Sequence, residues 1–324
     1  MEISLDIVDN LKKTYAKPLY IKDLSEHGQI TCIELSQFER SQDVVLIGFG
    51  NKILLGYFKF SGNVHLEIIS EFPFPCRCTG LSISPETNLS AVPNSVSFCA
   101  AGSDFKIRVI KSDLENESFC KILNGHTSYI NDLKYDLDDK YLASVGDDNS
   151  LRIWDLETYE CTALHLNFAG VAVQWHKDDP SKLLVADKVG VIRLYNTETL
   201  KPILSFDSGK LLSACHWSPS RNQDIASLQL GELSLWDITT PSTPTISSLV
   251  FTEAGGHLKF SPQGDLIAAL NPLEGTLKVF KTRMLELKFS TFLNLPTNFC
   301  WHYKYPLICV GDDSKFCIWK VNTL

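Results

Sequence analysis

Residues 125–157 read GHTSYINDLKYDLDDKYLASVGDDNSLRIWDLE. Three short runs, Ile130–Tyr135, Leu142–Val145 and Leu151–Trp154, put β-branched or aromatic residues at alternate positions, as strands with one side buried require. Asp138-Asp139 and Asp147-Asp148 separate the runs and supply turn chemistry. The stretch is therefore a small antiparallel sheet, too short to bury both faces alone. It also holds His126, Ser144 and Asp148, the residue types of a nucleophile, base and acid, so a hydrolytic reading has to be weighed.

The pattern repeats in both directions. Trp154, Trp236 and Trp319 close short strands 82 and 83 residues apart, and Trp175, Trp217 and Trp301 open another set 42 and 84 apart. Both series are multiples of about 41–42, the period of a four-stranded propeller blade. Seven third-strand anchors fit the chain at residues 56, 110, 154, 195, 236, 280 and 319, separated by 54, 44, 41, 41, 44 and 39 residues. First strands fall at 30–35, 79–84, 130–135, 171–176, 213–217, 257–260 and 299–302. Second strands fall at 44–48, 97–101, 142–145, 183–186, 225–228, 267–270 and 307–310. The expectation is an all-β, seven-bladed propeller over residues 18–324. Blades of this size stack to bury their faces.

The seventh blade runs out of chain after its third strand. The unassigned segment Pro18–Leu24 is expected to pair with it and close the ring, which removes two sheet edges. Residues 1–17 form an extension. Ile7, Val8, Leu11 and Tyr15 within it have helical spacing, which predicts a short amphipathic helix, with a frayed terminus as the alternative. The 54-residue interval between the first two anchors holds 71–75 (EFPFP) and 85–94, read as long loops suited to recognition or as passive insertions. Phe72, Phe74, Arg77, Glu86 and Leu89 are the candidate partner contacts there.

Composition narrows the function. The chain has 324 residues, 44% of them hydrophobic, with a net charge of −8 and no basic stripe, so direct nucleic-acid binding is not expected. No run approaches 18 uncharged apolar residues, so no membrane-spanning helix is expected. Residues 1–10 carry three acids and no base, unlike a secretory signal. The ten cysteines are scattered. Cys76-Arg77-Cys78 has no second pair to complete a zinc pattern, and a reducing compartment fits. Trp175-His176 and Trp301-His302 read as packing residues. The Asp pairs at 138–139, 147–148, 178–179 and 312–313 read as solvated turns, with calcium or a basic partner as the alternative. No phosphate loop, zinc-protease helix or nucleophile elbow is present, so no cofactor, metal or small-molecule substrate is expected.

Gly125-His126, Leu142-Ala143-Ser144, Asp147-Asp148 and Ile153-Trp154-Asp155 stand in the order and spacing of a WD40 repeat. The resemblance implies that His126, Ser144, Asp148 and Trp154 form a buried hydrogen-bonded tetrad rather than a catalytic site. Only the third blade carries the full set. Further residues sharpen the likeness: Ser84-Pro85-Glu86-Thr87, Lys106-Ile107-Arg108, Ser112-Asp113-Leu114, Ile192-Arg193, Trp236-Asp237-Ile238-Thr239 and Trp301-His302. Together the chain resembles the small WD40 nucleoporins of the Y-shaped outer-ring complex of the nuclear pore. That resemblance implies a non-enzymatic scaffold at the nuclear envelope that docks on a large solenoid nucleoporin, supports pore assembly and nucleocytoplasmic transport, and in metazoans accompanies the complex to mitotic kinetochores. The alternative is an adaptor such as a substrate receptor of a cullin ubiquitin ligase. Such receptors show Trp-Asp-x-Arg, whereas Leu156-Glu157 and Ile238-Thr239 follow the two Trp-Asp pairs here.

Overall fold

In the computed structural model, which describes residues 16–61 and 63–321, seven four-stranded antiparallel sheets follow one another around a ring. Their inner strands are Cys32–Leu35, Cys78–Ile83, Ile130–Tyr135, Gly170–Trp175, Leu212–Trp217, His257–Phe260 and Pro296–Trp301, here numbered blades 1 to 7. In blades 1 to 6 the strands are ordered in space as in sequence. The seventh sheet differs, because its outer strand is Tyr20–Asp23 from the front of the chain. Tyr20 pairs with Ile318 and Asp23 with Lys315, antiparallel to Lys315–Lys320. Leu24 and Ile30 follow this strand into the core between blades 7 and 1, so apolar burial adds to the ladder that closes the ring.

Why the blades stack is visible in the second strands. Val44–Gly48 is buried at every position. Val45 and Ile47 face blade 7, whereas Val44 and Leu46 face blade 2. A strand with two apolar faces has no solvated side, so each sheet is stable only between two others. The described core accordingly divides into seven clusters, each shared by adjacent blades.

The long first interval has a different origin from the one expected. Its extra length begins in an extended hairpin, Lys52–Ser61 with Asn63–Pro73, so residues 71–73 end a strand instead of forming a loop. A Cβ at Gly56 on this hairpin would lie 2.7 Å from Leu66 Cδ1 and 3.0 Å from Val45 Cγ1, which explains a glycine at the first anchor. The second insertion is a loop, held by the Asn88–Ser95 bridge and by Thr87 Oγ1 donating to the Ser97 carbonyl at 2.8 Å. The helix expected from Ile7, Val8, Leu11 and Tyr15 lies outside the described residues.

Candidate functional site

The third blade brings His126, Ser144, Asp148 and Trp154 together. The Trp154 indole N–H donates to Ser144 Oγ at 2.9 Å, and Ser144 Oγ lies 2.8 Å from His126 Nε2. His126 Nδ1 lies 2.9 Å from Asp148 Oδ2, which also accepts the Thr127 amide at 3.0 Å. With the carboxylate accepting at Nδ1, the proton sits there, and Nε2 accepts from the serine hydroxyl. Burial outweighs the Asp148 charge and lowers the His126 pKa, keeping the imidazole neutral. Burial pushes the Asp148 pKa up, but Ser150, Thr127 and His126 hold it below its ordinary value.

The Ser-His-Asp distances are those of a hydrolytic triad, but access is not. The Ser144 residue is 0% exposed and the His126 side chain 1%, and the serine oxygen is already committed to the indole. A substrate carbonyl has no path to that oxygen, and with Trp154 in place it has no room beside it. The arrangement satisfies four buried polar groups at once.

The other indoles find acceptors by different means. Trp236 Nε1 donates to Ser227 Oγ at 2.8 Å, and Gln229 Nε2 donates to the same oxygen at 2.6 Å, so blade 5 keeps half of the network. Ser227, nine residues before Trp236, was the signal for it in the sequence. In blade 7 Cys309 occupies the serine position and is buried, and Trp319 Nε1 donates instead to the Ala16 carbonyl at 2.9 Å. Two of the three inner-strand tryptophans bond across blades: Trp175 donates to the Lys134 carbonyl at 2.9 Å and Trp301 to the Lys259 carbonyl at 3.2 Å, whereas Trp217 donates to the Asn222 carbonyl of its own blade at 2.9 Å. His176 packs edge-on against Trp217, and His302 pairs with Asp43 of blade 1 at 3.1 Å.

A second polar constellation lines the central channel, a cavity of about 1120 Å³. The penultimate residues of the inner strands are Glu34, Ser82, Lys134, Gln174, His216, Lys259 and Cys300, a polar side chain in every blade, and all but Ser82 line the cavity. Gln174 accepts the Trp217 amide at 2.8 Å and donates to its carbonyl at 3.2 Å. Ser82 accepts the Tyr135 amide at 3.2 Å, and Cys300 Sγ donates to the Ile33 carbonyl at 3.3 Å. Glu34 bridges non-adjacent blades, taking Lys134 Nζ of blade 3 at 2.8 Å and Lys259 Nζ of blade 6 at 3.1 Å. Lys259 Nζ also lies 3.1 Å from Cys300 Sγ. Burial alone would raise the Glu34 carboxyl, but the two ammonium groups outweigh it and hold it at about 2. Burial, reinforced by Lys259 and Lys134, lowers His216 to about 3. Burial pushes the Cys300 thiol up to about 11. Polar residues do recur at one register of the inner strands, but which of them meet across the channel is not written in that recurrence, and sequence reasoning missed the belt.

The candidate partner residues scatter. Phe72 and Phe74 are buried between blades 1 and 2, with the Arg108 guanidinium 4.9 Å above the Phe74 ring. They are core side chains, because the outer strand of blade 1 runs through the segment read as a loop. Leu89 is half-buried against the same cluster. Only Arg77 and Glu86 are exposed, on opposite faces of the ring. Among the described residues no cluster of three or more His, Cys, Asp or Glu could hold a metal ion, and all ten cysteines are free thiols. No helix among the described residues is long and apolar enough to cross a membrane.

Comparison with known proteins agrees with this geometry. The WD domain, G-beta repeat family matches residues 117–155, the blade that carries the tetrad. Nucleoporin Nup37 of Drosophila melanogaster is 32% identical over 247 residues, covering 75% of this chain and 77% of the relative. Nucleoporin Nup37 of Homo sapiens is 29% identical over 314 residues, covering 93% and 96%. The mouse protein aligns over the same span at the same identity. Identity that runs around the ring, well beyond the one blade matched by the repeat family, is what separates a particular propeller from propellers in general. The chain belongs to the nucleoporin Nup37 family of WD40 β-propellers.

Proposed function

We propose that the chain is a non-enzymatic scaffold subunit of the outer ring of the nuclear pore, a single propeller from residue 18 onward that binds a large solenoid nucleoporin of the Y-shaped complex. The observation that carries the reading is the alignment with a nucleoporin over 96% of that relative's length. The sealed tetrad supports it, because the one nucleophile–base–acid set the sequence offered is used to hold a tryptophan. No cofactor, metal or small substrate enters the proposal, which extends to the pore and not to the mitotic kinetochore.

The physical contribution is rigidity. A closed ring with satisfied polar groups presents its loops without reordering, so little conformational entropy is lost on binding. A permanent subunit contact of this kind buries more than about 2,000 Å² in total. The test is purification of the tagged full chain at its natural abundance, followed by mass spectrometry. Outer-ring nucleoporins in near-equal amounts are expected. Their absence, or a cullin adaptor in their place, would overturn the proposal.

A further inference from the structure

The central channel carries an excess of positive charge inside an acidic protein. Its lining runs from face to face. At one mouth it takes in Lys188, just after the second strand of blade 4, Lys182–Asp187. At the other it takes in Lys177 and Lys304, just after the inner strands of blades 4 and 7. Five lysines line the channel, Lys134, Lys177, Lys188, Lys259 and Lys304, against two carboxylates, Glu34 and Asp132, and no arginine. The whole chain has a net charge of −8, so the inside of the ring reverses the sign of the rest.

The excess gathers toward the mouth where the inner strands end. Lys134 and Lys259 are penultimate in their strands, and Lys177 and Lys304 lie three and four residues past the same register, held by Gln174 and Cys300. Asp132 lies two residues deeper, where its carboxylate accepts the Leu133 and Val173 amides, each at 3.0 Å. Lys188 belongs to the far mouth and pairs with Asp147 at 2.6 Å. Glu34 is therefore the carboxylate of the lining that faces these four ammonium groups. The acidic turns 136–139 and 178–179 share this face but stand outside the lining. Two of their carboxylates are engaged, Asp178 by Asn222 at 2.8 Å and Asp179 by Lys182 at 3.0 Å. The donors of the mouth are not used up. An ammonium has three N–H groups. Lys134 spends one on Glu34 at 2.8 Å, and Lys259 spends two, on Glu34 and on Cys300 Sγ, each at 3.1 Å. Lys177 and Lys304 are exposed and form no ion pair among the described residues. His216 adds a donor, since its Nδ1 accepts the Phe260 amide at 3.4 Å and the ring proton then sits on Nε2.

A cavity lined by one sign of charge concentrates ions of the other. Lysines act as point charges and suit a tetrahedral, multiply charged phosphate, whereas a planar carboxylate is matched best by the arginine fork, which this lining lacks. The volume of about 1120 Å³ admits a small-molecule ligand. We propose that this mouth of the channel binds the phosphate group of a small phosphorylated molecule, held by Lys134, Lys259, Lys177 and Lys304 with His216 donating. Glu34 sets the affinity, because it competes with the phosphate for the two inner lysines. The site lies inside the ring, so its occupancy is measured on the isolated chain and is independent of the scaffold reading.

The test is calorimetric titration of inorganic pyrophosphate into the full-length chain at pH 7.5 and about 50 mM NaCl, where screening is weak. One site with a Kd below about 1 mM is expected. Lys177→Gln/Lys304→Gln changes two exposed side chains, so it should melt with the wild type while binding about tenfold more weakly or worse. Glu34→Gln frees both inner ammonium groups and should bind more tightly than the wild type, even though it is the less stable protein. A control, Lys121→Gln/Lys288→Gln, lies on the outer strands of blades 2 and 6 and should bind as the wild type does. A wild type that does not bind pyrophosphate overturns the proposal. So does an affinity that the mouth lysines leave unchanged, that the control loses equally, or that Glu34→Gln fails to raise. Malonate, a dicarboxylate, binding as tightly as pyrophosphate would overturn the assignment to phosphate.

Discussion

Replacing Glu34 by Gln keeps the shape of a side chain in the middle of the channel and removes its charge. In the wild type the carboxylate holds Lys134 at 2.8 Å and Lys259 at 3.1 Å, and the Glu34 side chain is only 12% exposed. The lysines draw its pKa from an ordinary 4.5 down to about 2, against the upward push of burial. A difference of that size corresponds to about 3 kcal/mol of folding stability at neutral pH. Because the folded carboxyl titrates below the unfolded one, the contribution is complete above about pH 4.5 and disappears as pH falls toward 2. Unfolding entropy near 60 °C is roughly 2.1 cal/mol/K per residue, or about 0.6 kcal/mol/K for roughly 300 residues, so 3 kcal/mol corresponds to about 5 °C in Tm. The assay is thermal unfolding followed by circular dichroism, for wild type and Glu34→Gln, from pH 7.5 down to pH 3. The variant should melt about 5 °C lower at pH 7.5, with the gap closing as the pH drops. Equal melting temperatures at pH 7.5, or a gap that does not change with pH, would refute the view that this carboxylate is stabilised by the lysines it bridges. Lys134→Met made in the Glu34→Gln background should cost less than in the wild type, since the two positions act through one contact.

His126→Ala takes away the acceptor of the buried Ser144 hydroxyl and one donor to Asp148, at about 1–3 kcal/mol for each lost bond, so a drop of several degrees in Tm is expected and an unchanged Tm would mean the tetrad contributes nothing. A serine-directed fluorophosphonate should leave Ser144 unlabelled in the native protein, because its hydroxyl is sealed; labelling would reopen the hydrolytic reading. Phe74→Ala should cost about 3–5 kcal/mol in chemical denaturation, against less than about 0.5 for Glu86→Ala, which is how a core residue differs from a surface one. Deleting residues 1–23 removes the outer strand of blade 7 and should lower and broaden the thermal transition by calorimetry; an unaltered transition would show that the ring is held without its closing strand.

Most of the ring was legible because its evidence is local. The second-strand runs such as Val44–Gly48 and Ile267–Leu270 are apolar at every position, a pattern that demands burial on both faces wherever it occurs. The tetrad was legible for the same reason, since its four members lie within one blade at fixed offsets. Phe72 and Phe74 were misread because proline on either side of Phe74 looks like loop chemistry. Pro73 nevertheless terminates an outer strand, where a missing N–H costs nothing if it faces solvent. The channel belt went unread because Glu34, Lys134 and Lys259 are separated by 100 and 125 residues, and no local rule connects them.

The amino-acid sequence by itself determined the blade count, the strand order within each blade, the borrowed strand that closes the ring and the one complete tetrad. The count, the order and the tetrad follow from a period or an alternation confined to some forty residues, in which side-chain direction is dictated by the pleat, and the closing strand is the segment that this count leaves over. Only the tertiary structure decided that Glu34 reaches two lysines from non-neighbouring blades, that Ala16 serves the Trp319 indole, and that the lysines of several blades come to line one channel. Those relations depend on closure, since bending a linear array into a circle brings together side chains whose separation along the chain carries no information about their separation in space.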